Sequence, residues 1–156
     1  PPRSTLFPYT TLFRSVVSLD TTLEYDEFLD WHKDLRAAFK KLEPPNVPVL
    51  LLARTNPKPR FSAFNEYLRF APRYEAEVAE LKHDDFLTHG FLSRALTGSR
   101  GSQRIRRSYE AVCRTVKLFL DSVLGDDVAG TAFPPRHSAR SPVSVRYRPA
   151  LPKPTP

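Results

Sequence analysis

The strongest indication of the fold is the run Val47-Pro-Val-Leu-Leu-Leu-Ala53, which contains no polar side chain. A strand that is apolar at every position is typical of an inner strand in a sheet covered by helices on both sides. Pro48 is compatible with this prediction because proline is tolerated at the first residues of a strand. The run therefore predicts a central strand of a parallel sheet.

Before this run, the sequence predicts one strand and one helix. Val16-Val-Ser-Leu-Asp20 opens on a β-branched pair and predicts a short buried strand. Between Tyr25 and Leu42, apolar residues recur at three- and four-residue spacings, which predicts an amphipathic helix. Glu43-Pro-Pro ends it, because proline lacks the amide hydrogen that a helix interior requires.

After the central run, a short helix is predicted at 62–70, and Tyr74–Leu81 fits both a strand and a helix. The order of the elements favours a strand there. Residues 83–90 and 98–107 are predicted as loops. Ser108 is predicted to cap a helix from Tyr109 to Leu124 that buries Cys113. This alternation of strand and helix predicts an α/β fold with a parallel sheet, flanking helices and right-handed crossovers.

Composition divides the chain into three parts, at 1–15, 16–127 and 128–156. The first resembles an in-frame translation of a sequencing-library adapter, so we expect the natural chain to begin near Val16 and to lack its true start. The second is the length of one small domain. The third is rich in Pro and Arg and is predicted to be poorly ordered, apart from a brief edge strand at 143–147.

The charge excess lies outside the central part. Of the 24 basic residues, two lie in 1–15 and five in 128–156, whereas all 17 acidic residues lie in 16–127, which is therefore neutral. A basic protein often binds nucleic acid, but a neutral domain gives no reason to expect such a partner. No apolar run approaches the roughly 20 residues of a membrane span, so no membrane partner is expected either.

The candidate chemistry lies at the carboxyl ends of the predicted strands, where parallel sheets bind ligands. Asp20 follows the first strand and His83 follows the third. A histidine can take a proton from a serine or cysteine, and a carboxylate can fix its tautomer and stabilise the imidazolium. The pair predicts a general base, His83, oriented by an acid, Asp20, with Glu24 as the reserve acid and His89 as the rival base.

The same segments resemble a known family. Val16-Val-Ser-Leu-Asp20, Val47-Pro-Val-Leu-Leu-Leu52, His83-Asp-Asp-Phe86 and the final helix ending in Phe119-Leu-Asp-Ser-Val-Leu-Gly-Asp126 look like the C-terminal part of an α/β hydrolase, closest to the dienelactone-hydrolase-like group. The resemblance covers residues 16–127. It implies the second half of that fold, action of the parent enzyme on a small-molecule ester or acyl substrate, and no metal or organic cofactor.

The sequence departs from that family in its nucleophile. No two of its five glycines have the spacing of a Gly-x-Ser-x-Gly elbow. The resemblance therefore implies that the nucleophile lies upstream and that the chain alone is inactive, because a base without its nucleophile performs no acyl transfer. Adjacent residues such as His83, Asp84 and Asp85 seldom converge on one ion, so a metal site is disfavoured.

Two other functions remain open from the sequence. A non-enzymatic helical interaction module is the main alternative, and it is favoured if 74–81 is helical and the apolar run at 47–53 is the buried edge of a helix. A nucleic-acid-binding peptide would bind through the basic residues at 98–107 and at 128–156.

Overall fold

The computed structural model describes residues 14–20, 46–56, 68–96, 100–124, 133 and 141–152. Within these ranges it contains a mixed four-stranded sheet in the order β1-β2-β3-β4, with two α-helices. β1, β2 and β3 are parallel, and β4 runs antiparallel to β3. The elements are β1 (Val16–Leu19), β2 (Val49–Arg54), β3 (Arg73–Val78), a 3₁₀ helix (His83–Phe86), α1 (Thr88–Ala95), α2 (Arg100–Leu124) and β4 (Val143–Arg148). The α/β class and the three parallel strands predicted from the sequence are confirmed.

β2 is an inner strand that is covered on both faces, as its sequence predicts. Leu50 and Leu52 are fully buried in a cluster that includes Phe119 of α2. The alternate residues of β2, from Val49 to Ala53, are buried in a second cluster with Leu68 and Ala71. Burial on both faces explains why this strand is apolar at every position.

β3 resolves the ambiguous segment 74–81 as a strand. It pairs with β2 along its whole length, with Ala76 opposite Leu52. Its preference for a helix is overridden because Ala76 and Val78 are fully buried in the cluster beneath α2. Burial of Tyr74 in the same region raises the pKa of its phenol.

β4 places part of the C-terminal segment in the sheet. The brief edge strand predicted at 143–147 is present as Val143–Arg148. Val143 is buried, and the Nε of Arg148 lies 2.9 Å from Oε1 of the buried Glu75. Because β4 is antiparallel, the sheet is mixed, whereas the sequence predicted a purely parallel one.

α2 is longer than the predicted helix, and the loop predicted at 98–107 is wrong from Arg100 onward. Ser108 does not cap the helix but lies buried in its interior. The reason is that the buried stripe continues upstream through Ile105 and Ser102 at three-residue spacing. Cys113, predicted to be buried, is exposed.

The predicted loop at 83–90 is also wrong, because this segment forms the 3₁₀ helix and the first turn of α1. The helix predicted from Tyr25 to Leu42 lies outside the described residues, as does most of the one at 62–70. Among the helices in the described ranges, none is long and apolar enough to cross a membrane.

Candidate active site

Asp20 occupies an unusual backbone position at the carboxyl end of β1. Its φ of 48° lies in the left-handed region, which Asp adopts more readily than most residues that carry a Cβ. Its amide donates to the carbonyl oxygen of Leu52 at 2.6 Å, which extends the β1–β2 ladder by one residue. The Asp20 side chain is completely buried, and its Oδ1 accepts the backbone N–H of Arg54 at 2.9 Å.

His83 meets this carboxylate from the end of β3. It is the first residue of the 3₁₀ helix, and its Nδ1 lies 2.9 Å from Oδ2 of Asp20. The His83 side chain is 50% exposed, whereas that of Asp20 is fully buried. A carboxylate at Nδ1 favours the tautomer with the proton on Nδ1, which leaves Nε2 as the basic nitrogen. The structure thus brings together the two residues that the sequence singled out.

Arg54, at the end of β2, is a part of this site to which the sequence analysis assigned no role. Its Nε lies 3.6 Å from the same Oδ2 of Asp20 that contacts His83, in addition to the backbone hydrogen bond to Oδ1. A buried carboxylate needs such compensation, because an unpaired charge in the interior is costly. The sequence does indicate this position, because Arg54 directly follows the central apolar run and the ends of neighbouring parallel strands share one edge of the sheet.

The turn that carries His83 is held by a buried carboxylate. Asp85 is fully buried, and its Oδ2 accepts the backbone N–H of Lys82 at 2.7 Å and contacts the guanidinium of Arg94 in α1. The amide of Asp85 in turn donates to the carbonyl oxygen of Lys82 at 3.0 Å. These bonds hold the backbone on either side of His83 and therefore fix the position from which its imidazole extends.

Gly90 lets α1 pack directly on this turn. A Cβ built on Gly90 would collide with the backbone carbonyl of Asp84. Only glycine permits this approach, because any other residue places a carbon where the carbonyl lies. The close contact between α1 and the 3₁₀ helix therefore depends on a single residue type.

The remaining candidates are the rival base, the reserve acid and the adjacent residues considered as metal ligands. The backbone of His89 lies in α1, and Glu24 falls outside the described residues. Of the three adjacent residues considered as metal ligands, His83 contacts Asp20, Asp84 is exposed and Asp85 contacts Arg94. Within the described ranges, no group of three or more His, Cys, Asp or Glu residues could hold a metal ion.

Comparisons of the chain with protein-family models, with curated proteins and with solved structures returned no match. What the site can do is therefore argued from its geometry. A buried carboxylate, held by a backbone amide and a guanidinium, orients a half-exposed imidazole at the carboxyl edge of three parallel strands.

Proposed function

We propose that this chain carries the general base and the orienting acid of an α/β hydrolase that acts on ester or related acyl bonds. The observation that supports the proposal is the 2.9 Å contact between Nδ1 of His83 and Oδ2 of the buried Asp20. Acyl transfer by a serine or cysteine needs such a pair. The separation of 63 residues between the two also argues against a merely local contact.

In the proposed reaction, Nε2 of His83 takes the proton of a serine or cysteine as that group attacks the acyl carbon. Asp20 stabilises the imidazolium that forms, and the proton then passes to the leaving alcohol. The nucleophile comes from a part of the parent enzyme that this sequence does not include, since it contains no Gly-x-Ser-x-Gly. The chain alone is accordingly expected to be inactive.

The helical interaction module is not favoured, because the two segments whose helical form would favour it contain strands. Residues 49–54 form β2 and residues 73–78 form β3. No specific contact in the described residues favours nucleic-acid binding, and the central part of the sequence is neutral.

The pairing is tested in the chain as it exists by nitrogen NMR of the imidazoles. His83 is expected to show a protonated Nδ1 and an unprotonated Nε2 at alkaline pH, because Asp20 accepts the Nδ1 proton. In Asp20→Ala the preference should revert to a proton on Nε2, the form that free histidine prefers. His83→Gln assigns the signal, and an Nε2-protonated His83 in the unmodified chain would contradict the pairing.

Catalysis is tested in the parent gene, once its upstream coding segment is recovered. His83→Ala should lower kcat for a simple ester by about a million-fold, since the base acts in the transition state. His137→Ala is the matched control. It should retain activity because His137 lies in the C-terminal part, 128–156, outside the segments that resemble the hydrolase. Unchanged turnover in the His83 variant would exclude the proposed role.

A further inference from the structure

An apolar groove of about 450 Å³ lies between the end of β1, the 3₁₀ helix and α2. Its size falls within the range of pockets that bind small molecules. The side chains that define its apolar surface are Leu19, Phe86, Val112, Cys113, Val116 and Leu120.

Two of the residues that line the groove lie close in sequence to Asp20 and His83, which do not line it themselves. Leu19 directly precedes Asp20. Phe86 lies three residues after His83 in the 3₁₀ helix, and residues at this spacing project from the same side because such a helix has three residues per turn. A molecule bound against Leu19 and Phe86 would therefore lie next to the two segments that carry Asp20 and His83.

The charges at the groove favour a neutral occupant. Its two charged residues, Lys117 and Asp121, neutralise each other, with Nζ of Lys117 2.5 Å from Oδ2 of Asp121. The volume favours a small molecule over a partner helix, because one turn of helix with its side chains fills roughly 400–600 Å³. The groove would hold only about one such turn, which is a short contact for a protein partner.

We propose that this groove binds the uncharged hydrocarbon or aromatic part of the ester substrate. The inference rests on the proposed function, since it assigns the groove to the same site as His83. It predicts that the parent enzyme prefers esters with a bulky apolar group over short or charged ones.

The test uses the chain itself, which should bind such an ester without cleaving it. Titration with 2-naphthyl acetate is expected to shift the amide signals of Val112, Val116 and Leu120 and the ring signals of His83, whereas methyl acetate at the same concentration should not. Cys113→Glu places a charge in the groove at an exposed position and should raise Kd at least tenfold. Gln103→Glu adds the same charge at an exposed site of α2 that does not line the groove, and should leave Kd within twofold.

Three results would overturn the inference: equal Kd values for the two variants, groove signals that shift without those of His83, or groove signals that move with protein concentration as copies associate. The last is checked by sedimentation of the chain without ligand. The tautomer of His83 is read in a separate spectrum without ligand, so failure of the Asp20–His83 pair is distinguished from failure of the groove to bind.

Discussion

Replacing Asp20 with alanine should destabilise the fold through two separate losses. The backbone N–H of Arg54, which donates to Oδ1 at 2.9 Å, would lose its acceptor, and an unsatisfied buried donor costs about 1–3 kcal/mol. Alanine at a φ of 48° would also be strained, because the left-handed conformation costs about 1–2 kcal/mol for such a residue. Together these terms predict a loss of about 2–5 kcal/mol in the free energy of unfolding.

Asp20→Asn is the matched control, because asparagine tolerates the left-handed region and keeps an oxygen for the Arg54 amide. Urea unfolding followed by circular dichroism measures both variants. The midpoint of Asp20→Ala should fall by about 1–2 M for a typical small-domain m-value, and that of Asp20→Asn by less than half as much. Equal midpoints for alanine and asparagine would refute the reasoning, since neither the lost acceptor nor the strained backbone would then matter.

Three further changes have defined outcomes. Gly90→Ala should destabilise the chain by more than 1 kcal/mol and broaden the NMR signals of His83, because the new Cβ would collide with Asp84; an unshifted thermal midpoint would contradict the contact. Glu80→Gly should raise the free energy of unfolding in urea by about 0.5 kcal/mol, because a φ of 67° suits glycine and the exposed ion pair with Arg104 that is lost contributes little; a lower free energy of unfolding would contradict this. Burial raises the pKa of Tyr74 in the folded state, so the free energy of unfolding should fall as pH rises above the unfolded pKa near 10. Tyr74→Phe should weaken that fall, and an identical fall of the urea midpoint with pH in the two proteins would be the contrary result.

The strands could be predicted from the sequence wherever burial dictated the composition. β2 is apolar at nearly every position because both faces are covered, and this burial leaves an unmistakable run. Asp20 and His83 could be found for a related reason: segments that follow parallel strands share one edge of the sheet, so their order along the chain predicts that they approach each other.

Only the tertiary structure decided the features that depend on contacts between distant segments. The start of α2 was predicted as a loop because Gly101 has a low helix propensity and a run of basic residues is usually solvated, but the packing of Ile105 outweighs that local signal. Arg54 joins Asp20 across 34 residues, and Gly90 matters only because α1 lies against Asp84. Local composition indicates which residues are buried. The partner of a buried charge depends instead on how the strand ends and helices pack against each other.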